Sequence, residues 1–133
     1  MSNANVSLVQ SLYAAFGRGE VAALVDAAAP DCDWVTVGRP ADFPTFGPHR
    51  GKAGVQSFFD KVAQHLDFSE FAPQEFHAVG DKVLVLGRYA MTVKRTGKPA
   101  ATEWCHVFTI SDGKVAKFRE FTDTAQAAEA YRG

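Results

Sequence analysis

The sequence predicts an α+β fold in which helices pack on one face of a curved antiparallel β-sheet. Apolar residues in the first half recur every three to four positions or so, as in amphipathic helices. The second half consists of runs rich in Val, Phe, Ile and Thr, separated by turns that contain Gly. Helices and strands are thus largely segregated along the chain, which is typical of α+β proteins.

The helices are predicted from their apolar stripes and from the residues that end them. Gly17-Arg18-Gly19 ends the first helix, and Pro30 follows the second, which is rich in alanine. Asp123-Thr124 caps the last one. The predicted helices cover residues 6–16, 20–28, 51–65 and 125–131.

Strands are predicted at 32–37, 68–79 and 82–95, then around His106 and in a last strand that ends near Thr122, the final four forming a meander. Residues 38–50 contain three prolines and two glycines, so we expect a rigid loop without regular structure. Phe43 and Phe46 in this loop either close a cavity mouth or plug the end of a core. His49 and Arg50 precede the third helix and are either an anion site or solvated loop charges.

The hairpin around Asp112-Gly113 carries two residues that stand out. His106 lies in a run of Trp, Cys, Val and Phe, and Glu120 lies in a strand that should be half buried. A three-residue loop that includes Ser111 places both on one face as diagonal neighbours, with His106 opposite Phe118. A two-residue turn places them on opposite faces. The turn residues leave both registers open.

Composition and charge exclude several classes of function. The chain has 133 residues, enough for one domain spanning 1–133. With 14 Lys and Arg against 15 Asp and Glu and no run of one sign, we expect neither a nucleic acid nor a membrane partner. No segment is long and apolar enough to span a bilayer, and the start lacks a signal peptide pattern, so we expect a soluble, cytoplasmic protein.

The metal-ligating residue types are scattered. The four histidines form no metal-binding cluster, so no bound metal is expected. Cys32 and Cys105 lack paired spacing, and we expect buried free thiols.

Glu120 and His106 are the candidate catalytic residues. A buried carboxylate without a partner is costly and usually has a raised pKa. A Glu in an apolar pocket can exchange a proton at neutral pH, and a neighbouring imidazole can make the complementary transfer. The alternative is structural: Glu120 pairs with Arg88 or Arg119 near the sheet rim, and His106 satisfies a core carbonyl.

The chain resembles the SnoaL-like polyketide cyclase group of the nuclear transport factor 2-like superfamily, which includes ketosteroid isomerases and limonene epoxide hydrolases. The resemblance extends from the first helix to the end. It rests mainly on GRYAMTVKRTGKPAATEWCHVFTISDGKVAKFREFTDT, then on GPHRGKAGVQSFF and DCDW. It implies a cone-shaped, cystatin-like fold whose curved sheet encloses a deep apolar cavity, and a homodimer formed through the outer face of the sheet. It favours the register that places His106 and Glu120 on one face.

The resemblance also assigns roles. Cyclases of this group place a His on the penultimate strand and an acid on the last strand, and His106 and Glu120 occupy these positions, with Glu in place of the usual Asp. Thr36 stands where an isomerase of the ketosteroid type would have its base, and no strand has the Arg-x-Asp pair of the limonene type. Candidate cavity residues, each on its own an ordinary core residue, are Tyr13, Phe16, Trp34, Thr36, Phe59, Tyr89, Trp104 and Phe118.

Three functions follow as hypotheses. The first is a cofactor-independent cyclase or isomerase in which Glu120 removes a proton next to the carbonyl of a small apolar ketone, and His106 stabilises or reprotonates the enolate. The second is a non-catalytic module that binds a hydrophobic metabolite in the same cavity. The third is a dimeric association domain. We expect an apolar small-molecule ligand and no cofactor.

Overall fold

The computed structural model describes residues 2–133, with side chains from Ala4 onward, so Met1 of the predicted domain lies outside the described residues. This part of the chain contains four helices and six strands. Helices and strands are mixed in its first half, and the second half consists of consecutive strands followed by a last helix. Their order is α1 (Ser2–Gly17), α2 (Val21–Ala27), β1 (Ala28–Thr36), β2 (Gly47–Arg50), α3 (Gly51–His65), β3 (Leu66–Val79), β4 (Lys82–Val93), β5 (Pro99–Ser111), β6 (Lys114–Phe121) and α4 (Thr124–Arg132).

The helices form where the apolar stripes predict them. Val9, Leu12 and Ala15 of α1 are buried at helical spacing. The α3 helix has the predicted bounds. The predicted cap of α4 is confirmed, because the carboxylate of Asp123 accepts a hydrogen bond from the Gln126 amide at 3.0 Å.

All six strands form one curved sheet, in the order β2-β1-β6-β5-β4-β3. The predicted meander of β3 to β6 is confirmed, and the α+β class with helices on a curved sheet is confirmed as well. The sheet is not wholly antiparallel, since β1 pairs with β6 in parallel. The chain between these two strands is long enough to return in the same direction, which a parallel pair requires.

Residues 47–50 correct the prediction that the whole 38–50 segment lacks regular structure. They form the short edge strand β2, which pairs with Asp33–Thr36 of β1. Pro48 has no N–H to donate, and a proline of this kind is tolerated on an edge strand. The proline-rich composition therefore describes residues 38–46 alone.

The β5–β6 hairpin differs from both predicted registers. Ser111 pairs with Lys114, so the turn has two residues, and Asp112 and Gly113 both have positive φ, at 52° and 72°. One residue, Ala116, is left without a partner, and beyond it the pairing is shifted by one. This β-bulge cancels the change of face that a two-residue turn alone would produce.

The hydrophobic core lies between the helices and the face of the sheet that they cover, which we call the inner face. Buried residues alternate along the strands, as in β4, where Val83, Val85, Tyr89 and Met91 are inside. The strand at the edge opposite β2, β3, has two irregularities in its pairing with β4, between Phe68 and Glu70 and between Pro73 and Glu75.

Candidate active site

Thr36, Glu120 and His106 lie in one row across three neighbouring strands. Thr36 of β1 is paired with Glu120 of β6, and Glu120 is paired with His106 of β5. Because of the bulge at Ala116, all three side chains are on the inner face. His106 is 4% exposed, and the side chain of Glu120 is 15% exposed.

A chain of hydrogen bonds connects this row to helix α1. The Thr36 hydroxyl donates to Oε1 of Glu120 at 3.0 Å, and Oε2 of Glu120 lies 2.7 Å from Nε2 of His106. On the other side of the ring, Nδ1 of His106 lies 2.6 Å from the hydroxyl of Tyr13. We refer to these four residues as the polar chain.

The protons of the polar chain can be arranged in two ways when Glu120 accepts both of its hydrogen bonds. Nε2 of His106 then carries a proton. When the ring is neutral, Nδ1 accepts the proton of the Tyr13 hydroxyl. When the ring is protonated, Nδ1–H donates to the Tyr13 oxygen, and the Tyr13 proton is free to point at another acceptor.

Tyr13 itself is a proton donor in this site. Burial raises its pKa above the usual value, and the negative charge of Glu120 adds to the effect. Tyr13 therefore keeps its proton at neutral pH. The sequence placed Tyr13 among the cavity residues but gave no sign of this contact, because 93 positions separate it from His106.

The partners that the structural alternative names for Glu120 and His106 are not the ones observed. Arg88 binds Glu70 at 3.0 Å, and Arg119 binds Asp33 at 2.7 Å, so neither arginine reaches Glu120. The partners of Glu120 are His106 and Thr36. The premise that Glu120 would be unpaired is wrong, since each of its oxygens has a hydrogen-bond partner.

An aromatic stack fixes the His106 ring. The indole of Trp104 lies 3.9 Å from the imidazole, centroid to centroid, at an interplanar angle of 19°. Gly87 on β4 makes room for this indole, because a Cβ there would overlap Cζ2 of Trp104 and lie 2.6 Å from the carbonyl oxygen of Ala72. Trp104 thus packs against the face of the His106 ring and holds its orientation.

A cavity of about 90 Å³ opens beside the polar chain. Most predicted cavity residues line it, namely Tyr13, Phe16, Trp34, Phe59, Tyr89 and Phe118, together with His106 and Glu120. Trp104 and Thr36 do not line it. They lie behind His106 and Glu120, and act on the cavity only through these residues.

The loop before β2 forms another part of the cavity wall. Phe43, Thr45 and Phe46 line the cavity and are at most 5% exposed. The ring of Phe43 lies 5.2 Å from that of Tyr131 in α4, so this helix holds the loop in place. The two phenylalanines are therefore part of the core and of the cavity wall at once.

A depression of about 360 Å³ lies next to the cavity, between the end of α1 and β3. The two share four aromatic residues, Tyr13, Phe16, Phe68 and Phe71. Phe16 and Phe71 are 5.1 Å apart between ring centroids.

His49, which precedes α3, is not a solvated loop charge. This ring is buried, and its Nε2 lies 3.0 Å from the ammonium of Lys61. Burial, and then the charge of Lys61, lower the pKa of His49.

Lys52 in the first turn of α3 connects this helix to the end of α2. Its ammonium donates to three carbonyl oxygens, those of Val25, Asp26 and Ala28.

Within residues 2–133, no cluster of His, Cys, Asp and Glu has the geometry of a metal site. Cys32 and Cys105 are free thiols, as predicted, but only Cys32 is buried, and Cys105 is half-buried. Burial raises the pKa of Cys32 to about 11, so this thiol is not reactive at neutral pH. No helix in the described part of the chain is long and apolar enough to cross a membrane.

Comparisons with known proteins agree with this architecture. An NTF2-like protein from Burkholderia xenovorans is 33% identical, with 98% of each chain covered and a TM-score of 0.89. The structure of TerC co-crystallized with polyporic acid is 26% identical over 98% of this chain and 99% of that one, with a TM-score of 0.84. An uncharacterized protein from Mycobacterium tuberculosis is 26% identical over 97% of this chain and 96% of its own length.

The family model of the SnoaL-like domain matches residues 9–118, from α1 into β6. This range includes Tyr13, Thr36 and His106. The chain belongs to the SnoaL-like domain family, within the NTF2-like superfamily.

Proposed function

We propose that this protein is a cofactor-independent enzyme that removes and returns a proton next to the carbonyl group of a small apolar ketone, leading to isomerisation or aldol-type cyclisation. The observation that supports this proposal is the polar chain, which reaches a mostly apolar cavity at Glu120, His106 and Tyr13. Such chemistry needs a base and a hydrogen-bond donor in a site that excludes water.

Glu120 is the base. It takes the α-proton of the ketone, the C–H electron pair forms the C=C bond of the enolate, and the carbonyl π pair moves to oxygen. Thr36 and His106 hold the carboxylate while it does so. Return of the proton to another carbon gives an isomer, whereas attack of the enolate on a second carbonyl closes a ring.

Tyr13 is the donor to the enolate oxygen, and His106 acts through it. Both ring nitrogens of His106 already have partners, so the ring meets the substrate less directly than the sequence suggested. A protonated His106 donates to Tyr13 and turns its hydroxyl proton towards the substrate. A donor aimed at a developing oxyanion contributes about 10²- to 10³-fold to rate in other enzymes.

Exchange of the C2 hydrogens of 1-tetralone in D₂O, followed by proton NMR, tests this proposal without knowledge of the natural substrate. We expect the protein to accelerate the exchange, and Glu120→Gln to reduce the acceleration by about 100-fold or more. Glu70→Gln is the matched control, because Glu70 is an exposed carboxylate paired with Arg88. Exchange at the buffer rate while the ketone is bound would contradict the proposal.

A binding module is the second candidate, and one observation favours it. The polar chain is satisfied within the protein, so it is stable without a reaction to perform. The TerC structure with polyporic acid adds a relative that was crystallised with a small molecule. A ligand that binds in the cavity and leaves it unaltered, with no C2 exchange, would support this function.

We also propose that the protein forms a homodimer through the outer face of the sheet. Leu86, Cys105 and Phe121 form one row across that face, and Leu86 and Phe121 are 38% and 48% exposed. Exposed apolar residues in the middle of a sheet are typical of an interface. Light scattering of the wild-type protein and of Phe121→Ser tests this proposal. A monomeric wild-type protein would contradict it.

A further inference from the structure

Trp34 carries a buried hydrogen-bond donor that the protein itself does not use. The residue lies on the inner face of β1 and is 4% exposed. From Ser2 to Gly133, no group accepts a hydrogen bond from its indole nitrogen, Nε1. Buried polar groups in proteins normally have a partner, so an unpartnered donor requires an explanation.

The side chains packed around the indole are aromatic. The ring of Phe118 stacks on it, with centroids 4.0 Å apart and an interplanar angle of 18°. The rings of Phe58 and Phe59 lie 5.8 Å and 5.6 Å from it. Phenyl rings are weak acceptors, so they do not replace an oxygen partner for the N–H. A phenylalanine at position 34 would pack in this environment without a donor to satisfy.

The indole also lies beside the candidate active site. Trp34 lines the same cavity as Glu120 and His106. It precedes Thr36 by two residues on β1, and its partner Phe118 precedes Glu120 by two residues on β6. Residues two apart on a strand share a face and are about 7 Å apart. One small bicyclic ligand can therefore reach both the carboxylate of Glu120 and the indole.

We propose that Nε1–H of Trp34 donates to a second oxygen of the substrate, apart from the carbonyl that faces Glu120 and Tyr13. An indole N–H only donates, so this oxygen must be an acceptor. The substrate class is then a small cyclic ketone with a carbonyl or ether oxygen at a second ring position. This inference rests on the proposed function for the role of the first carbonyl. The contact is specificity-determining, because a ligand without the second oxygen leaves the N–H unpaired.

The ligand oxygen reaches Nε1 by parting the side chains around the indole. The nitrogen has almost no exposed surface of its own, although the indole ring borders the cavity. Changes of side-chain rotamer are common on binding and need little movement of the backbone. The N–H signal of Trp34 should therefore respond directly to an acceptor in the ligand.

Proton–nitrogen NMR tests this contact in the wild-type protein. The chain has two tryptophans, and Nε1 of Trp104 is also unpartnered, but Trp104 does not line the cavity. The ligands are 5-, 6- and 7-methoxy-1-tetralone and the corresponding ethyl-1-tetralones, which have the same size but lack the ether oxygen. We expect at least one methoxy compound to move the Trp34 N–H signal downfield relative to its ethyl counterpart. The Trp104 signal should be the same in both complexes.

Isothermal titration calorimetry measures what the contact contributes to binding. We expect the same methoxytetralone to bind about three- to tenfold more tightly than its ethyl counterpart, the gain of one hydrogen bond. This advantage should disappear in Trp34→Phe. Because the two ligands have the same size, the space that phenylalanine opens affects both alike. Trp104→Phe is the matched control, since it removes the other unpartnered N–H and should retain the advantage.

Four results would overturn the inference: no binding of any methoxytetralone, equal affinity within every pair, an advantage that survives in Trp34→Phe, or a Trp34 signal that does not respond to the ether oxygen. Binding and exchange separate the two proposals. A Trp34-dependent advantage without C2 exchange contradicts the proposed reaction alone. Exchange without that advantage contradicts the role of Trp34 alone.

Discussion

His106 and Glu120 are directly opposite each other on β5 and β6, with Nε2 of His106 2.7 Å from Oε2 of Glu120. They are opposite only because Ala116 is left out of the pairing between the two strands. The turn that joins their strands has two residues and would by itself turn one side chain outward. Val115 and Phe118 are both buried although three positions separate them, as the bulge requires. The site thus depends on the hairpin as much as on the two residues.

The turn should be sensitive to its backbone geometry. Gly113→Ala places a Cβ at φ 72° and should lower the free energy of unfolding by about 1 kcal/mol. Asp112→Asn should raise it by a few tenths of a kcal/mol, since Asn-Gly favours this turn. Urea denaturation measures both, and equal stability of the two variants would contradict the turn type.

Tyr13→Phe keeps the ring and removes the donor. We expect tetralone exchange to slow by about 10- to 1000-fold, with a stability loss of about 1 kcal/mol because Nδ1 of His106 loses its partner. Nitrogen-15 NMR of the His106 ring should report the lost hydrogen bond. Tyr131→Phe, outside the cavity wall, is the control, and unchanged exchange in Tyr13→Phe would exclude Tyr13 as the donor.

Gly87→Ala should disturb the stack behind His106. The new methyl group would overlap the Trp104 indole and the Ala72 carbonyl, so we expect a loss of about 1–3 kcal/mol in the free energy of unfolding. Gly17→Ala at the end of α1 meets no atom within 4 Å and should be neutral or slightly stabilising. Similar losses of unfolding free energy in both variants would show that Trp104 does not restrict the size of the side chain at position 87.

His49 should make stability fall in mild acid. Its pKa in the folded protein is below the usual 6.5, so the contribution is complete above that pH and is lost as the pH falls from 6.5 towards the lowered pKa. Protonated His49 would face the Lys61 ammonium at 3.0 Å. Urea titrations between pH 7 and pH 5 should show a weaker pH dependence for His49→Gln than for the wild-type protein, and an equal pH dependence would contradict this role of His49.

Much of the fold could be predicted because its signals are local. The apolar stripe of α3 and the glycine turns between the last strands each lie within a short window. The register at Ala116 was missed, although one local signal existed: Val115 and Phe118 break the two-residue alternation of a strand. The short strand β2 was missed because Pro48 argues against a strand unless the strand is known to be at an edge.

The candidate site was predicted only in part, for a different reason. His106 and Glu120 stand out as polar residues in apolar strands. Tyr13 lies in a helix where a tyrosine is ordinary, and its role follows from a contact with a distant part of the chain. Periodicity and turn signals describe neighbours in sequence, and they carry no information about such contacts.

The interruptions in β3 bear on how molecules of this protein meet one another. As the last strand of the sheet, β3 leaves one row of backbone groups without a strand partner. An uninterrupted edge of this length would be a template for the strands of other molecules, and so for aggregation. The breaks around Ser69 and Gln74 distort that template, and Pro73 cannot donate to it. The edge that helps to wall the cavity is thereby also a poor site for strand addition.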